Sequence, residues 1–253
     1  MVFGLVDWRL ISFDEEKKFW TTHPLIKAYF ESTFDEENKK LCHKQIYQYF
    51  GEYAPRKPET LEEMQPLFEQ VYHGCSAGLY DEVFEGVYWE KIYRRKEHFI
   101  IYKFGAWETN LSLVKNFFPD NDLSQMPLVS KKSDQNFLLN SAGLALFSTD
   151  RPREAEELLI KKTNMQLEDK EWKNASMGYQ NLVDLQFKTG RLEKGFENAV
   201  KAQDAAGKAK IDQYIMFSKF YFAWILHLLG KSKKAEKEFN NLRVNIDNFH
   251  NIW

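Results

Sequence analysis

Small and apolar side chains recur at a fixed spacing between residues 136 and 240. Two sets of positions repeat every 40 residues, and the second set follows the first by twelve residues. The first set is Gly143, Val183 and Ala223, and the second is Ala155, Gly195 and Ala235. A fixed period of this length is typical of structural units that stack on one another.

A turn signal lies between the two small positions of each unit, at residues 148–152, 189–191 and 229–231. Each unit is therefore predicted to be a helical hairpin whose two helices cross closely at the small residues. Gly190 and Gly230 suit the end of a first helix, where a left-handed residue closes the last turn. Larger side chains should fill the space around the crossings, namely Leu146, Leu159, Phe187, Phe220, Leu226 and Phe239.

The small, small and aromatic positions of these units resemble those of tetratricopeptide repeats. The resemblance implies an all-α fold, a tetratricopeptide-like α-solenoid of helical hairpins whose concave surface is open to protein or peptide ligands. The usual repeat has about 34 residues, so the longer unit implies longer helices or longer connections. Gln186 and Lys219 also occupy positions that are usually apolar in that family. A helical bundle with accidental self-similarity is the alternative interpretation.

The N-terminal part of the chain has a different pattern. Residues 5–20 hold two apolar runs around a charged middle, which predicts a short β-hairpin with a solvated tip. Pro24 then opens a predicted helix. Residues 22–30, with the sequence THPLIKAYF, resemble the close of the winged-helix domain in signal-transducing ATPases of the STAND or NB-ARC type. That resemblance implies that residues 1–33 end a winged-helix domain and that His23 contacts the nucleotide bound to a parent ATPase.

Residues 34–120 are predicted to form an irregular region of helical hairpins. An amphipathic helix is expected over residues 35–53, and the capping box at residues 60–63 predicts the start of another helix. Residues 66–83 have the pattern of a further hairpin, and the sequence HGCSAG at residues 73–78 resembles a segment that follows the winged helix in bacterial STAND proteins. The chain has no phosphate-loop motif, so the resemblance places the nucleotide-binding domain upstream on a parent polypeptide.

His73 and Cys75 invite a catalytic interpretation, a hydrolase that would also draw on Asp81 and Glu82. A nucleophilic cysteine needs a base beside it, but residues two apart on a helix point in different directions. The acidic, histidine and cysteine residues also lack the spacing of metal ligands. We therefore predict no enzyme activity, no metal and no cofactor, and we expect Cys75 to serve close helix packing.

One stretch combines basic and aromatic residues between positions 89 and 103. The basic residues are Lys91, Arg94, Arg95, Lys96 and Lys103, interleaved with Trp89, Tyr93, Phe99 and Tyr102. Nucleic acid would use the cations on phosphates and the aromatic rings under bases. Because the formal net charge of the chain is only −2, a solvated basic ridge or a docking surface for an acidic protein segment is favoured. Arg94 and Arg95 are the partner-binding candidates.

A polar connection over residues 119–132 separates the irregular region from a regular array over residues 133–253. Cys42 and Cys75 lack metal spacing and are expected to be a buried, reduced pair. The sequence has neither a secretory pattern nor an uninterrupted run of about eighteen apolar residues. These features predict a soluble, cytoplasmic protein.

The leading functional hypothesis is a non-enzymatic protein- or peptide-binding module, the sensor and autoinhibitory segment of a STAND-type nucleotide-dependent switch. Its partners would be a protein or peptide ligand and the upstream nucleotide-binding domain. Asn140, Tyr179 and Lys219 are the candidate ligand contacts, because polar and aromatic residues are expected on the faces of the first helices. A stand-alone helical-repeat scaffold is the alternative, and a hydrolase is the third hypothesis.

Overall fold

Backbone contacts divide the chain into two compact units. The computed structural model describes residue 8, residues 10–14 and residues 19–250. The first unit covers Met1–Ile92 and the second covers Tyr93–Trp253. The predicted functional division into residues 1–33, 34–120 and 133–253 stays a prediction.

The first unit begins with a two-stranded antiparallel sheet. Strand β1 (Ser12–Asp14) pairs with β2 (Phe19–Thr21), so that Phe13 lies opposite Trp20. The predicted β-hairpin is therefore present on both sides of its tip, and the tip itself lies outside the described residues. Helix α1 (Pro24–Thr33) then starts at the predicted proline.

Two further helix starts were predicted in this unit, and only one is where we expected it. Helix α2 (Glu36–Tyr53) is capped by Asp35, whose Oδ1 accepts from the amide of Asn38 at 2.7 Å. At the capping box, Thr60 Oγ1 accepts from the amide of Glu63 at 3.1 Å. Helix α3 nevertheless begins later (Gln65–Ser76), so the predicted start was wrong, because the capped segment forms an isolated turn before the helix.

A glycine turn joins α3 to the four-residue helix α4 (Tyr80–Val83). Gly78 has a φ of 81°, and the amide of Leu79 donates to the carbonyl of Gly74 at 3.0 Å. Gly74 is packed so tightly against Val83 and Tyr47 that a Cβ atom would overlap both side chains. The helix then continues as a nine-residue π-helix, Phe84–Ile92, which the sequence pattern did not predict.

The second unit opens with short helices and continues as a regular array. The short elements are a 3-10 helix (Arg95–Glu97), α5 (Phe99–Tyr102), α6 (Trp107–Lys115) and a 3-10 helix (Pro119–Asn121). The array consists of three hairpins: α7 (Lys132–Ser148) with α8 (Pro152–Glu168), α9 (Trp172–Lys188) with α10 (Leu192–Ala209), and α11 (Asp212–Leu228) with α12 (Ser232–His250). Each of these helices packs on the next one along the chain, and α9 also contacts α11.

The turns of the array confirm the 40-residue period. The turn inside each hairpin holds one left-handed residue, at Asp150, Gly190 and Gly230, with φ between 61° and 72°. Lys170 and Lys210 are also left-handed and close the turns between hairpins. The left-handed residues thus follow one another every 20 positions, and helices of 17 or more residues account for the length of the unit.

Small residues permit the predicted close crossings. A Cβ atom on Gly143 would lie 3.0 Å from the side chain of Leu159 in the same hairpin, whereas one on Gly195 would lie 3.1 Å from Ile225 of the next hairpin. Leu146, Leu159 and Leu226 are buried as expected, but Phe220 is 43% exposed, so its prediction as a core residue was wrong. The described residues of the array therefore form a tetratricopeptide-like all-α repeat.

Candidate functional site

Side chains of consecutive first helices meet in a row across α7, α9 and α11. We call this row the first-helix face. It consists of Asn140 and Phe147 on α7, Asn181, Asp184, Phe187 and Lys188 on α9, and Tyr221 and Trp224 on α11. Four contacts link the hairpins along it, of which one is amide to amide, one is cation to ring, one is hydroxyl to carboxylate and one is ring to ring.

Two asparagine amides form the polar part of the first-helix face. Asn140 Oδ1 accepts hydrogen bonds from Asn181 Nδ2 at 3.1 Å and from Lys162 Nζ at 3.0 Å. Within the described part of the chain, Asn140 Nδ2 and Asn181 Oδ1 make no hydrogen bond, and both side chains are partly exposed. The pair therefore offers one donor and one acceptor, which is the complement of a peptide group.

The lysine behind this pair is buried. Burial lowers the pKa of Lys162 to about 8, although the charge of Glu171 acts in the opposite direction. Its ammonium group therefore depends on the carbonyl oxygen of Asn140 for a hydrogen bond. This contact fixes which way the Asn140 amide points, because the oxygen must face the lysine.

A carboxylate lies on the same face between α9 and α11. Tyr221 Oη donates to Asp184 Oδ2 at 2.9 Å. The pKa of Asp184 is raised, because the effect of burial exceeds the opposite effects of the hydrogen bond from Tyr221 and the charge of Lys188. Burial also raises the pKa of Tyr221, so the phenol stays a donor at neutral pH. A partly buried carboxylate of this kind suits a cationic group on a ligand.

Aromatic rings complete the face beside this carboxylate. The ring centroids of Phe187 and Trp224 lie 5.2 Å apart, and Trp224 also packs against Phe220 at 5.8 Å. Lys188 Nζ lies 4.3 Å from the centroid of the Phe147 ring. The first-helix face thus joins an amide pair, a carboxylate and an aromatic surface.

A buried polar network supports the face from the side of α8 and α10. Gln186 is completely buried, donates to Glu156 Oε1 at 3.2 Å and accepts from Asn198 Nδ2 at 2.9 Å. Arg191 lies 2.6 Å and Lys194 2.9 Å from the same carboxylate. Burial raises the pKa of Glu156, but the hydrogen bonds from Arg191, Lys194 and Gln186 outweigh it and leave the pKa lowered. This network explains the polar residue at position 186.

The three ligand contacts predicted from the sequence have different surroundings. Asn140 belongs to the first-helix face, whereas Tyr179 packs near Lys201 of α10, whose Nζ lies 5.9 Å from the ring centroid. Burial raises the pKa of Tyr179. Lys219 lies on α11 and is partly exposed. A role of Tyr179 and Lys219 in ligand binding stays a prediction, and the sequence pattern missed Asn181 and Asp184.

Arg94 and Arg95 lie in a left-handed stretch of backbone, with φ of 55° and 54°. The guanidinium carbon of Arg94 lies 3.3 Å above the ring of Phe99, which is buried. Tyr93 is buried as well, and its Oη lies 2.6 Å from His98 Nδ1. These two rings therefore cannot stack on bases, whereas docking of an acidic protein segment on Arg94 and Arg95 stays a prediction.

His23 is an exposed residue that caps α1. Its Nδ1 accepts from the amide of Leu25 at 3.2 Å. Such a contact satisfies one of the unpaired amides at the start of a helix. The nucleotide-sensing role of His23 in a parent ATPase stays a prediction.

The pair considered for catalysis has the geometry of a packing site. Cys75 is 3% exposed on α3, and burial raises its pKa, which opposes the thiolate that a nucleophile requires. His73 Nδ1 lies 2.7 Å from His43 Nδ1. Cys42 is only partly buried, so the expected buried pair of cysteines was wrong in that respect, although both are free.

The described residues contain no group of three or more histidine, cysteine, aspartate or glutamate residues that could hold a metal ion. Over the same residues, every helix is too short or too polar to span a bilayer.

Comparisons with known proteins found two similar structures. No model of a protein family matches the chain, and no curated protein matches it significantly. The TPR-like repeats of a Podospora anserina protein assigned as a kinesin light chain match at 13% identity with a TM-score of 0.46, covering 83% of this chain and 88% of that one. A STAND protein with a tetratricopeptide repeat sensor from Pyrococcus horikoshii matches at 13% identity with a TM-score of 0.33. That match covers 99% of this chain but 46% of the STAND protein.

Proposed function

We propose that the repeat array is a non-enzymatic protein- or peptide-binding module that uses its first-helix face. The observation that carries this proposal is the amide pair of Asn140 and Asn181, which keeps one donor and one acceptor beside an aromatic surface. An extended peptide presents the matching acceptor and donor on its backbone. Stacked repeats form extended surfaces to which successive units contribute, and such surfaces bind partners.

The chemistry of the face also defines the class of peptide. Phe187 and Trp224 offer apolar surface for an apolar side chain, and Asp184 offers a carboxylate for a basic one. The amide pair would fix the orientation of the peptide backbone but would not distinguish between side chains of the peptide. We therefore expect an extended segment that carries apolar and basic residues close together.

Binding to a peptide library tests this proposal. The whole chain would be incubated with an immobilised library of synthetic peptides, and the bound sequences determined. The double variant Asn140→Ala with Asn181→Ala is expected to bind the same peptides about tenfold more weakly. Asn164→Ala is the matched control, because Asn164 is exposed on α8 outside the first-helix face. Equal affinity of the double variant and the control would contradict the proposal.

The module is further proposed to be the sensor and autoinhibitory segment of a STAND-type switch in the cytoplasm. The support is the sequence resemblance at residues 22–30 and 73–78, together with the position of His23. In such a switch, a ligand that binds the array better in the open state shifts the adjoining ATPase toward that state. The upstream nucleotide-binding domain would be the second partner, in contact with His23.

Two measurements test this finer proposal. The coding sequence upstream of Met1 should contain a phosphate-loop motif. In the parent protein, His23→Asn should release bound ADP faster, because asparagine keeps the cap of α1 but removes the imidazole. Absence of that motif would favour a stand-alone scaffold, and unchanged ADP release would remove the proposed role of His23. Neither result would affect the peptide-binding test.

A further inference from the structure

An apolar groove lies between α11 and α12. It has a volume of about 540 Å³ and is lined by six apolar or aromatic side chains and by Arg243. The lining residues include Phe217 and Phe220 on α11 and Phe239 and Leu242 on α12. We call this the α11–α12 groove. A group of exposed aromatic side chains of this kind marks an interaction site more often than an ordinary surface.

The repeat shows what occupies this place in the preceding hairpins. One unit earlier, the positions of Phe239 and Leu242 are held by Ala199 and Ala202, both completely buried. Ala199 lies in an apolar cluster with Ile225, which belongs to the first helix of the next hairpin. The groove of the second hairpin is thus filled by a helix, namely α11.

The first hairpin follows the same rule. Two units before Phe239 stands Leu159, and two units before Phe220 stands Asn140. Leu159 is completely buried, and Asn140 is hydrogen-bonded to Asn181 of α9, the first helix of the next hairpin. In both preceding hairpins, therefore, the first helix of the next hairpin contacts side chains at these positions.

Exposure of the equivalent side chains shows the effect of this cover. Phe220 is 43% exposed on α11, whereas Gln180, at the same position of α9, is 7% exposed. The more apolar residue is thus the more exposed one, which is the reverse of what burial energetics favours. A partner that covers Phe220 would remove this apolar surface from water.

We propose that the α11–α12 groove binds an acidic amphipathic helix of a partner protein. The shape is inferred from the helices that fill the two equivalent grooves. Apolar side chains spaced three and four residues apart on the partner would enter between α11 and α12. The acidic character is inferred from Arg243, because the lining described for the groove contains this cation and no carboxylate.

Charge also argues against a second copy of this chain as the occupant. A symmetric dimer through the groove would bring two copies of Arg243 into one interface, since each copy contributes the same patch. A partner helix with glutamate or aspartate beside its apolar stripe would instead form a pair of opposite charge. This inference goes beyond the proposed function, because the lining of the groove lies outside the first-helix face except for Tyr221, and because the ligand is a helix rather than an extended segment.

The test uses two fluorescent synthetic helices and the whole chain. Both helices carry leucine at every third or fourth position, and one has glutamate where the other has lysine at the remaining sites. Fluorescence anisotropy should show that the glutamate helix binds the chain at least about tenfold more tightly than the lysine helix. Arg243→Glu should reverse this preference and leave the capture of extended peptides unchanged.

Two further variants make the result specific to the groove. Phe220→Ser should weaken binding of the glutamate helix about tenfold, while Ile160→Ser, at a similarly exposed apolar position on α8, should not. Circular dichroism would show whether each variant is folded. Equal binding of the two helices, or no effect of Phe220→Ser, would overturn the proposal. A dimer of the whole chain in light scattering that Phe220→Ser dissociates would assign the groove to a second copy and also overturn it.

Discussion

The two contacts between hairpins in the array differ in chemistry, although Tyr221 also donates to Asp184 across the second. The first hairpin meets the second through Lys162, Asn140, Asn181 and the network around Glu156 and Gln186, which are polar and mostly buried. The second meets the third through the apolar cluster of Val183, Ala199 and Ile225, with Phe196, Tyr221 and Phe222 packed against it. The same turn geometry and the same 40-residue period therefore support two different kinds of interface.

This difference between the two contacts implies different roles, one in stabilising the array and one in fixing a single arrangement of its helices. Apolar packing stabilises in proportion to the surface that it removes from water and tolerates exchange of similar side chains. A buried polar network stabilises only when each member has its partner, and it then permits one arrangement. Within the first hairpin, both amide atoms of Asn136 and the Oε1 atom of Gln166 are buried without a hydrogen bond among the described residues. We therefore expect the second contact to contribute more stability and the first to fix the geometry of the binding face.

The largest expected effect comes from breaking the apolar contact. Ile225→Ala should lower the free energy of unfolding by about 4 kcal/mol, because a fully buried side chain leaves a cavity between hairpins. Urea unfolding of the whole chain would measure this change. Val200→Ala, at an exposed position on α10, is the control and should change stability little. A loss below about 1 kcal/mol would mean that the cluster is not the main support of this contact.

Because Lys162 is buried, the free energy of unfolding should depend on pH in the alkaline range. The pKa of Lys162 is about 8 in the folded chain, below the unfolded value of about 10.4. Between these values the unfolded chain binds more protons, so stability should rise with pH by up to about 3 kcal/mol. Lys162→Met should abolish this rise and increase stability at pH 7.

Unfolding at several pH values between 7 and 10.5 would measure the effect of Lys162. Lys234→Met, at an exposed position on α12, is the matched control and should retain the rise. If the rise persisted in Lys162→Met, the burial of this amine would not be its cause.

The sequence pattern predicted the backbone of the array better than its contacts. A left-handed turn constrains the residue that occupies it, so Gly190 and Gly230 revealed the turns through local chemistry alone. The hydrogen bond of Gln186 depends on Glu156, which is thirty residues away. Its partner follows from the way the helices cross, which a one-dimensional period does not specify.

The candidate site was predicted in part for the same reason. Asn140 was identified as a polar residue on a first helix, but its partner Asn181 lies 41 residues further along, and Tyr221 lies 37 residues from Asp184. A strict 40-residue period instead links Tyr179 with Lys219. Side chains of adjacent helices meet with an offset that depends on the crossing geometry. The π-helix at Phe84–Ile92 had no signal in the pattern that we could recognise.

Breaking the polar network should cost less than breaking the apolar contact. Glu156→Ala should lower the free energy of unfolding by about 2 kcal/mol, mainly because the buried amide of Gln186 loses its acceptor. Arg191 and Lys194 are partly exposed and can be hydrated, so their loss of a partner adds little. Glu157→Ala, the exposed neighbour, is the control.

Acid should reproduce the effect of this substitution. Because the pKa of Glu156 is lowered in the folded chain, its contribution is present above the unfolded value of about 4.3. It is lost as the pH falls through the lower folded pKa. The difference in stability between the wild-type chain and Glu156→Ala should therefore shrink on acidification. A difference that stayed constant would show that Glu156 acts through packing rather than charge.

The smallest expected effects concern the left-handed turns, which are common to all three hairpins. Gly190 has a φ of 72° and open space around the position of a Cβ atom, so Gly190→Ala should cost about 1 kcal/mol through backbone strain alone. Asp150 occupies the equivalent turn of the first hairpin with a φ of 61°, so Asp150→Gly should relieve a similar strain. Gly207→Ala is the control, since Gly207 lies within α10 with open space around it, and alanine there should stabilise the helix. Thermal unfolding would measure all three variants. If Gly190→Ala lowers stability and Gly207→Ala raises it, the repeated glycine position is set by the backbone conformation of the turn. Changes in stability of the same sign would contradict that account.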